Sequence, residues 1–354
     1  MMKSTTYIFM SLTLLALISC NKVVRPSDDS ERIEFGIPML EGTKAAFKES
    51  ADDLADGFSV FAIKYTEDSE VMRFMNNVKV SRTDGVWDYD GDYYWSPMAY
   101  HSFYALYPYC NEDDDDNDDD YIYVSSVENA NLVITPKDGR LIRTGTNTGG
   151  VTDILYGISS YMAAPFDVSQ PVDKVVFIMK HVFSSVKLNL INRSDYKITA
   201  VSGKISGSDG TLPGLYDAVS GLVINADETI QWNDLQAAED PKAEFGFNHT
   251  GMNLLQGAET AVFEELVIPQ NINTSAAGEK DRMHLRLSVT FDTVADPAEF
   301  TVCLADIELS EQDAQYKKTY LPGKRYEYNL NVTSDYITCS VDLVEWTDDD
   351  MIDL

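Results

Sequence analysis

Strict alternation of apolar and polar residues is the feature of this sequence that most restricts its fold. It is clearest in three segments toward the C-terminal end of the chain, at 283–291, 325–332 and 337–343. In the first of these, every second residue is apolar, and His, Arg, Ser and Thr stand between them. A period of two places successive side chains on opposite faces of a β-strand, so that one face packs on a core and the other meets water. These segments therefore predict antiparallel strands with one covered face.

Shorter strand signals follow one another along the first half of the chain. Turn residues such as Asp84-Gly85 and Asp90-Gly91 punctuate them. No stretch of a dozen residues shows the 3.6-residue period of a helix. The predicted strands are 32–38, 58–65, 71–80, 86–95, 100–107, 121–127, 132–135, 154–160 and a long run at 174–191. The predicted fold class is all-β, with antiparallel β-sandwich domains in tandem.

The length of the chain favours two domains. Its 354 residues exceed the size of about 250 residues at which single hydrophobic cores stop growing. We place an N-terminal β-sandwich domain at 32–193 and a C-terminal one at 194–354, and the break within about 20 residues of position 193.

The first twenty residues predict export from the cytoplasm. Lys3 precedes an apolar run from Tyr7 to Ile18, which is too short to span a bilayer and has the layout of a secretory signal. The ending Leu17-Ile18-Ser19-Cys20 resembles the lipobox of bacterial lipoproteins, which implies acylation of Cys20, for example by palmitate. Residues 1–19 are then a lipoprotein signal peptide and 20–31 a flexible tether. The alternative is an ordinary signal peptide followed by a chance cysteine.

Charge and cysteine content exclude several classes of protein. The chain has 58 Asp and Glu against 27 Lys and Arg, a formal net charge of -31. Such a surface repels nucleic acid, so no nucleic-acid partner is expected. Of the four cysteines, Cys20 is assigned to the lipid. A bridge between Cys303 and Cys339 and a pair of buried free thiols both remain open, and the free thiols are favoured.

No catalytic or metal site is predicted. The four histidines are scattered, and no cysteine spacing matches a zinc site. Calcium is one interpretation of the acidic run 111–120 and of Asp88, Asp90 and Asp92, but a solvated loop and a hairpin turn explain these residues better. We predict a protein that is not an enzyme and that needs no cofactor.

Several short segments follow one another in a characteristic order and spacing over almost the whole chain. They are the lipobox at Cys20, Arg32 to Phe35, Gly42 to Ala45, Tyr93 to Pro97, Phe103 to Pro108, Asp153 to Tyr156, Phe177 to His181 with Val186, Pro322 to Tyr328 and Trp346. Together these segments resemble the fimbrillin, or Mfa-like, family of Bacteroidota surface proteins.

The resemblance implies two transthyretin-like sandwich domains and a place in a pilus as stalk, anchor or tip subunit. In such assemblies the first strand is removed and a strand from another subunit replaces it. Ile33, Phe35 and Ile37 would be the side chains that fill its groove. The implied partners are other fimbrillin-like subunits, the outer membrane through the lipid, and a ligand on a host or bacterial surface. The implied location is the surface-exposed fimbrium.

Processing sites distinguish the three positions in a pilus. Related stalk subunits are cut after an Arg where this sequence has Lys44, and here Lys48 is the next candidate. Arg25 and Arg32 lie at or before the first strand. This favours an anchor or tip subunit that keeps its strand. The C-terminal tail offers Met351, Ile352 and Leu354 as a short candidate donor strand, although tail disorder is favoured.

A different class of function remains open. The aromatic stretch from Tyr93 to Tyr109 could provide stacking platforms for a sugar in a surface glycan-binding lipoprotein of a polysaccharide-uptake system. Aromatic residues in strands are more often part of the core. The pilus function is therefore the main prediction and the glycan-binding lipoprotein the alternative.

Overall fold

A computed structural model shows that the chain is built from β-strands. It describes residues 31–36, 39–40, 57–65, 71–83, 86–96, 99–109, 123–136, 141–143, 153–161, 174–237, 245–278, 281–309 and 318–345. Within these ranges there is no α-helix, and a single turn of 3₁₀ helix occupies Leu304–Asp306. The prediction of an all-β fold with antiparallel sheets is confirmed. The transthyretin-like form of two tandem sandwiches stays a prediction.

The strands are numbered in chain order. They are β1 (Met39–Leu40), β2 (Phe58–Tyr65), β3 (Val71–Thr83), β4 (Val86–Tyr89), β5 (Tyr100–Tyr107), β6 (Tyr123–Glu128), β7 (Asn131–Pro136), β8 (Ile142–Arg143), β9 (Leu155–Tyr161), β10 (Ile178–His181), β11 (Ser184–Asn192), β12 (Ile198–Ser206), β13 (Tyr216–Val219), β14 (Gly221–Ile224), β15 (Ile230–Asn233), β16 (Gln236–Ala237), β17 (Gly246–Leu254), β18 (Glu259–Val267), β19 (His284–Phe291), β20 (Ala298–Cys303), β21 (Lys324–Val332) and β22 (Ile337–Glu345).

A seven-stranded sheet, in the order β1-β10-β9-β5-β2-β3-β4, organises the N-terminal half. Its central strands β2 and β5 are buried on both faces, because nearly every residue of 58–63 and 101–106 is apolar or small. Val60 and Phe103 point into one apolar cluster, which also contains Ile33 and Phe35. Phe61 and Tyr104 point into a second cluster on the other face. The segment before β1 therefore covers one face of this sheet.

Two four-stranded sheets enclose the C-terminal core. Their orders are β18-β11-β21-β22 and β17-β12-β19-β20. The alternation that the sequence shows at 283–291 and 325–332 is reproduced in the burial of β19 and β21, whose apolar residues share one cluster. Most neighbouring strands are antiparallel, but β11 pairs with β21 in parallel.

Strand pairing crosses residue 193 in both directions. β11, which precedes this position, pairs with β18 and β21 of the C-terminal core. β13 and β14 follow it, yet they pair with β8 and β7 of the N-terminal half. Alternation along the sequence indicates which residues form a strand, but not which other strand it pairs with. The sequence therefore could not show that strands on either side of residue 193 pair with the opposite half. The division of the chain into domains at 193 stays a prediction.

The long run at 174–191 is two strands rather than one. β10 belongs to the seven-stranded sheet and β11 to a C-terminal sheet. Val182 and Phe183 stand between them and are buried in the apolar cluster on the second face of the large sheet. Apolar residues recur along the whole run because it passes through two cores in succession.

Candidate functional site

The candidate site is the groove that holds the segment 31–36. One side of this segment is bonded to the stretch that follows β4. The Ile33 amide donates to the Tyr93 carbonyl at 2.9 Å, and the Trp95 amide donates to the Glu31 carbonyl at 3.0 Å. Arg32 forms the corresponding antiparallel bridge with Tyr94.

The other side of the segment is bonded to the stretch that leads into β10. The Val175 amide donates to the Glu34 carbonyl at 2.8 Å, and the Gly36 amide donates to the Val175 carbonyl at 2.9 Å. The backbones approach so closely that a Cβ atom on Gly36 would lie 2.7 Å from Val176 Cγ2. Because segment 31–36 is hydrogen-bonded on both sides, it lies between its neighbours like an inner strand of a sheet. Its described bridges to them are isolated and do not form a continuous ladder.

Two apolar side chains of the segment fill the groove. The exposed fractions of Ile33 and Phe35 are 0% and 2%. The Phe35 ring lies 5.4 Å from that of Tyr89, 6.3 Å from that of Phe103 and 6.0 Å from that of Phe177, between centroids. Edge and stacked contacts of this kind add to the apolar area that the ring removes from water.

Arg32 and Tyr89 clamp the segment to β4. The Arg32 guanidinium donates to Asp88 Oδ1 and to the Tyr89 carbonyl, both at 2.9 Å, and its Cζ lies 4.2 Å from the centroid of the Tyr89 ring. The Tyr89 hydroxyl in turn donates to the Ile33 carbonyl at 2.7 Å. A further exposed ion pair joins Lys174 to Glu34 at 3.1 Å, where solvent leaves it little strength.

Arg32, Asp88 and Tyr89 together form what we call the clamp, and their contacts shift the pKa values of all three. The Tyr89 amide and then the Arg32 guanidinium donate to the Asp88 carboxylate and lower its pKa. The hydrogen bond to Asp88 raises the pKa of Arg32. Burial raises the pKa of Tyr89 to about 12, so its hydroxyl keeps its proton and remains a donor at neutral pH.

The predicted site residues fall into two groups. Ile33 and Phe35 lie in the groove, beside Arg32. Cys20, Ile37, Lys44, Lys48, Met351, Ile352 and Leu354 lie outside the described residues. Sequence reasoning missed the clamp residues Asp88 and Tyr89, since their place before the Asp90-Gly91 turn does not show which segment they contact.

Some of the aromatic residues behind the alternative glycan site are buried in the core. In the aromatic stretch, Trp95, Phe103 and Tyr104 are buried, and Tyr100 is 38% exposed. Cys303 and Cys339 are free thiols on strands of different sheets, as favoured, but both are partly exposed rather than buried.

In the part of the chain that the structure describes, no group of three His, Cys, Asp or Glu residues could hold a metal ion. Nor does any helix in those ranges have the length and apolar character needed to cross a bilayer.

Known proteins resemble this chain in sequence pattern and in fold. A model of the fimbrillin-like family matches residues 43–346. A fimbrial protein from Bacteroides vulgatus has a similar structure, with a TM-score of 0.57, 16% identity, and coverage of 89% of this chain and 99% of that one. A candidate cell adhesion protein from Bacteroides ovatus gives a TM-score of 0.50 at 11% identity, covering 90% of this chain and 98% of that one. A search of curated proteins returns no match. Since the family model spans most of the sequence, the chain belongs to the fimbrillin-like family.

Proposed function

We propose that this protein is a lipid-anchored pilus component of the outer membrane that acts in pilus assembly and cell adhesion. Its working part is the groove of segment 31–36, where a strand from another fimbrillin-like subunit can add to or replace the segment. Membership of the fimbrillin-like family supports the pilus setting. The single observation that carries the strand-addition mechanism is the bonding of 31–36 on both sides, together with the complete burial of Ile33 and Phe35.

The energy of the groove suits exchange with another strand. Burying Ile33 and Phe35 contributes about 1.5–3 kcal/mol each, or about 3–6 kcal/mol together. A domain as a whole is stable by about 5–15 kcal/mol. An empty groove would therefore be costly, and an incoming strand with apolar residues at alternate positions would regain both the burial and the backbone hydrogen bonds.

The positions of the arginine residues support an anchor or tip subunit over a stalk subunit. Arg32 is the last arginine before residue 57, and cleavage after it would leave Ile33 and Phe35 in the groove. Removal of the segment requires a cut further on, such as at Lys44 or Lys48. An arginine-specific protease would therefore leave the strand in place.

Limited proteolysis tests the mechanism. The purified chain would be treated with a low dose of a lysine-specific protease, and oligomers would be sought on SDS gels without boiling. A stalk subunit gives a cut near Lys44 and a ladder of SDS-resistant oligomers, which a synthetic peptide of residues 31–40 suppresses and a scrambled peptide does not. An anchor or tip subunit keeps its N-terminus and stays monomeric, because segment 31–36 still fills its groove.

Two outcomes would contradict strand addition. One is loss of the segment without oligomers and without binding of the 31–40 peptide. The other is equal suppression of oligomers by the scrambled peptide.

The alternative of a glycan-binding lipoprotein receives less support, because three of the aromatic residues on which it rests, Trp95, Phe103 and Tyr104, are buried.

A further inference from the structure

A cleft opens beside the clamp, on the hairpin formed by β3 and β4. Its volume is about 380 Å³, within the range of about 300–1,000 Å³ that is usual for small-molecule sites. Most of its lining consists of side chains that form hydrogen bonds, namely Lys79, Ser81, Thr83, Asp88, Asp90 and Tyr109.

The register of the hairpin brings these side chains together. β3 and β4 are antiparallel, with Ser81 opposite Asp88. Lys79, Ser81 and Thr83 are two residues apart along β3, so they share one face of the strand. One wall of the cleft is therefore formed by the hydroxyls of Ser81 and Thr83 and, at one end, by the Lys79 ammonium.

Tyr109 also lines the cleft. Its amide donates to the Gly57 carbonyl at 3.2 Å, which ties it to the chain just before β2. The Lys79 ammonium lies 5.0 Å from the centroid of its ring, a distance at which a cation and an aromatic ring attract each other. The ring is thus already paired with Lys79 before any ligand arrives.

The wall at Asp88 is also held in place. The Tyr89 amide and the Arg32 guanidinium both donate to its Oδ1 atom at 2.9 Å. The Asp88 carboxylate is ionised at neutral pH, and these bonds lower its pKa further, so it can only accept hydrogen bonds from a ligand. A site whose polar groups are already oriented loses less entropy on binding.

The lining selects among ligand classes. Among the lining residues that the structure describes, Val78 is the one aliphatic residue, which disfavours an apolar ligand. Two carboxylates face one ammonium, in a chain of net charge -31, and this disfavours an anion. Closely spaced acceptors, hydroxyls, a single donor cation and an aromatic ring suit an uncharged molecule with many hydroxyl groups and an apolar C–H face.

We propose that the cleft between the β3–β4 hairpin and Tyr109 is a binding site for a neutral saccharide. Sugar hydroxyls donate to Asp88 and Asp90 and accept from Lys79, while the C–H face of the sugar packs on the Tyr109 ring. The proposal deepens the adhesive part of the proposed function by naming a ligand class, and it rests on that function only for its biological setting.

Binding of defined sugars to the purified full chain tests the proposal. The probes are lactose, N-acetyllactosamine and maltotriose as neutral saccharides, and sialyllactose as an anionic comparison, each titrated by calorimetry. We expect at least one neutral saccharide to bind and sialyllactose to bind more weakly than lactose. The site is overturned if no neutral probe binds, or if sialyllactose alone does.

Matched variants locate the binding. Tyr109→Ala and Asp90→Asn are each expected to weaken binding about tenfold or more, because each removes a wall or a charged acceptor. Tyr336→Ala and Asp335→Asn remove the same residue types from the exposed turn between β21 and β22 and are expected to leave binding unchanged. Equal affinity of the wild type and Asp90→Asn, a surface change that preserves shape, would overturn the site even if Tyr109→Ala failed to fold.

The result is separate from that of the proteolysis experiment. Sugar binding is measured on the uncut chain with 31–36 in its groove, whereas strand addition is read from oligomers or peptide binding. Failure of either experiment therefore leaves the other proposal standing.

Discussion

Two terminal strands of the described chain are held in opposite ways. Segment 31–36 makes four backbone hydrogen bonds to the described residues beside it, and its Ile33 and Phe35 side chains are buried. β22 pairs with β21 at every one of its positions, from Ile337 to Glu345. Of the β22 side chains that the structure describes, Val341 alone is buried.

The comparison distinguishes a segment held by its buried side chains from a strand held by its backbone hydrogen bonds. Loss of β22 would mainly expose a sheet edge, whereas loss of 31–36 would open an apolar groove in the core of the large sheet. An edge can pair with many extended segments. A groove with two side-chain positions selects an incoming strand by its sequence. The first segment is therefore the better site for specific exchange between subunits.

The largest expected effect is that of Phe35→Ala. Removing a fully buried aromatic side chain should lower the free energy of unfolding by about 3–5 kcal/mol. The matched change Leu343→Ala, at a partly buried position of β22, should cost far less. Urea unfolding of both variants measures the difference. Equal losses would show that the groove is not filled as the structure indicates.

The second comparison uses one residue type in the two strands. Ile33→Ala should destabilise the protein by about 2–5 kcal/mol, because Ile33 is 0% exposed. Ile337→Ala, at the partly exposed start of β22, removes the same atoms and should cost about 1 kcal/mol. Thermal unfolding followed by circular dichroism measures the loss of stability in both variants. A larger loss for Ile337→Ala than for Ile33→Ala would contradict the difference between the two strands.

A smaller effect is expected for Tyr89→Phe. The change removes the hydrogen bond to the Ile33 carbonyl but keeps the ring against Phe35. The expected cost is about 1–3 kcal/mol, because a buried carbonyl loses its donor. Amide hydrogen exchange at Ile33 and Gly36 should become faster. Unchanged exchange would mean that the clamp does not hold the segment.

The smallest effect is expected for Arg32→Gln, because its ion pair with Asp88 is exposed. The pKa of Asp88 is lowered in the folded state. The resulting stability is present above the unfolded pKa of about 3.9 and is lost as pH falls through the folded pKa. In the variant the pKa of Asp88 should rise toward its ordinary value without reaching it, since the Tyr89 amide still donates.

An NMR titration of carboxyl groups in both proteins measures this shift. Asp209 is the internal control, because the amides of Thr211 and Leu212 lower its pKa and the substitution is not expected to affect it. A pKa of Asp88 that is identical in wild type and variant would exclude the ion pair with Arg32.

The pattern of apolar and polar residues predicted strands well where the strand lies against a single core. It predicted them poorly where the chain passes from one core to another. β2 and β5 were found with their observed bounds, and β19 with its alternation. The pattern at 174–191 predicts one strand, because burial in either of two cores favours the same apolar residues. β13 and β14 were not assigned to the N-terminal sheets, because pairing across a long loop leaves no periodic signal.

The amino-acid sequence by itself determined the class of fold, the apolar face of each strand and the apolar character of Ile33 and Phe35, since these follow from side-chain chemistry at a period of two. Tertiary structure decided which strands pair, that Arg32 reaches Asp88 and Tyr89, and that Tyr109 stands opposite Lys79. Such contacts join residues that are far apart in the chain. They depend on packing and on backbone hydrogen bonds, which no local pattern records.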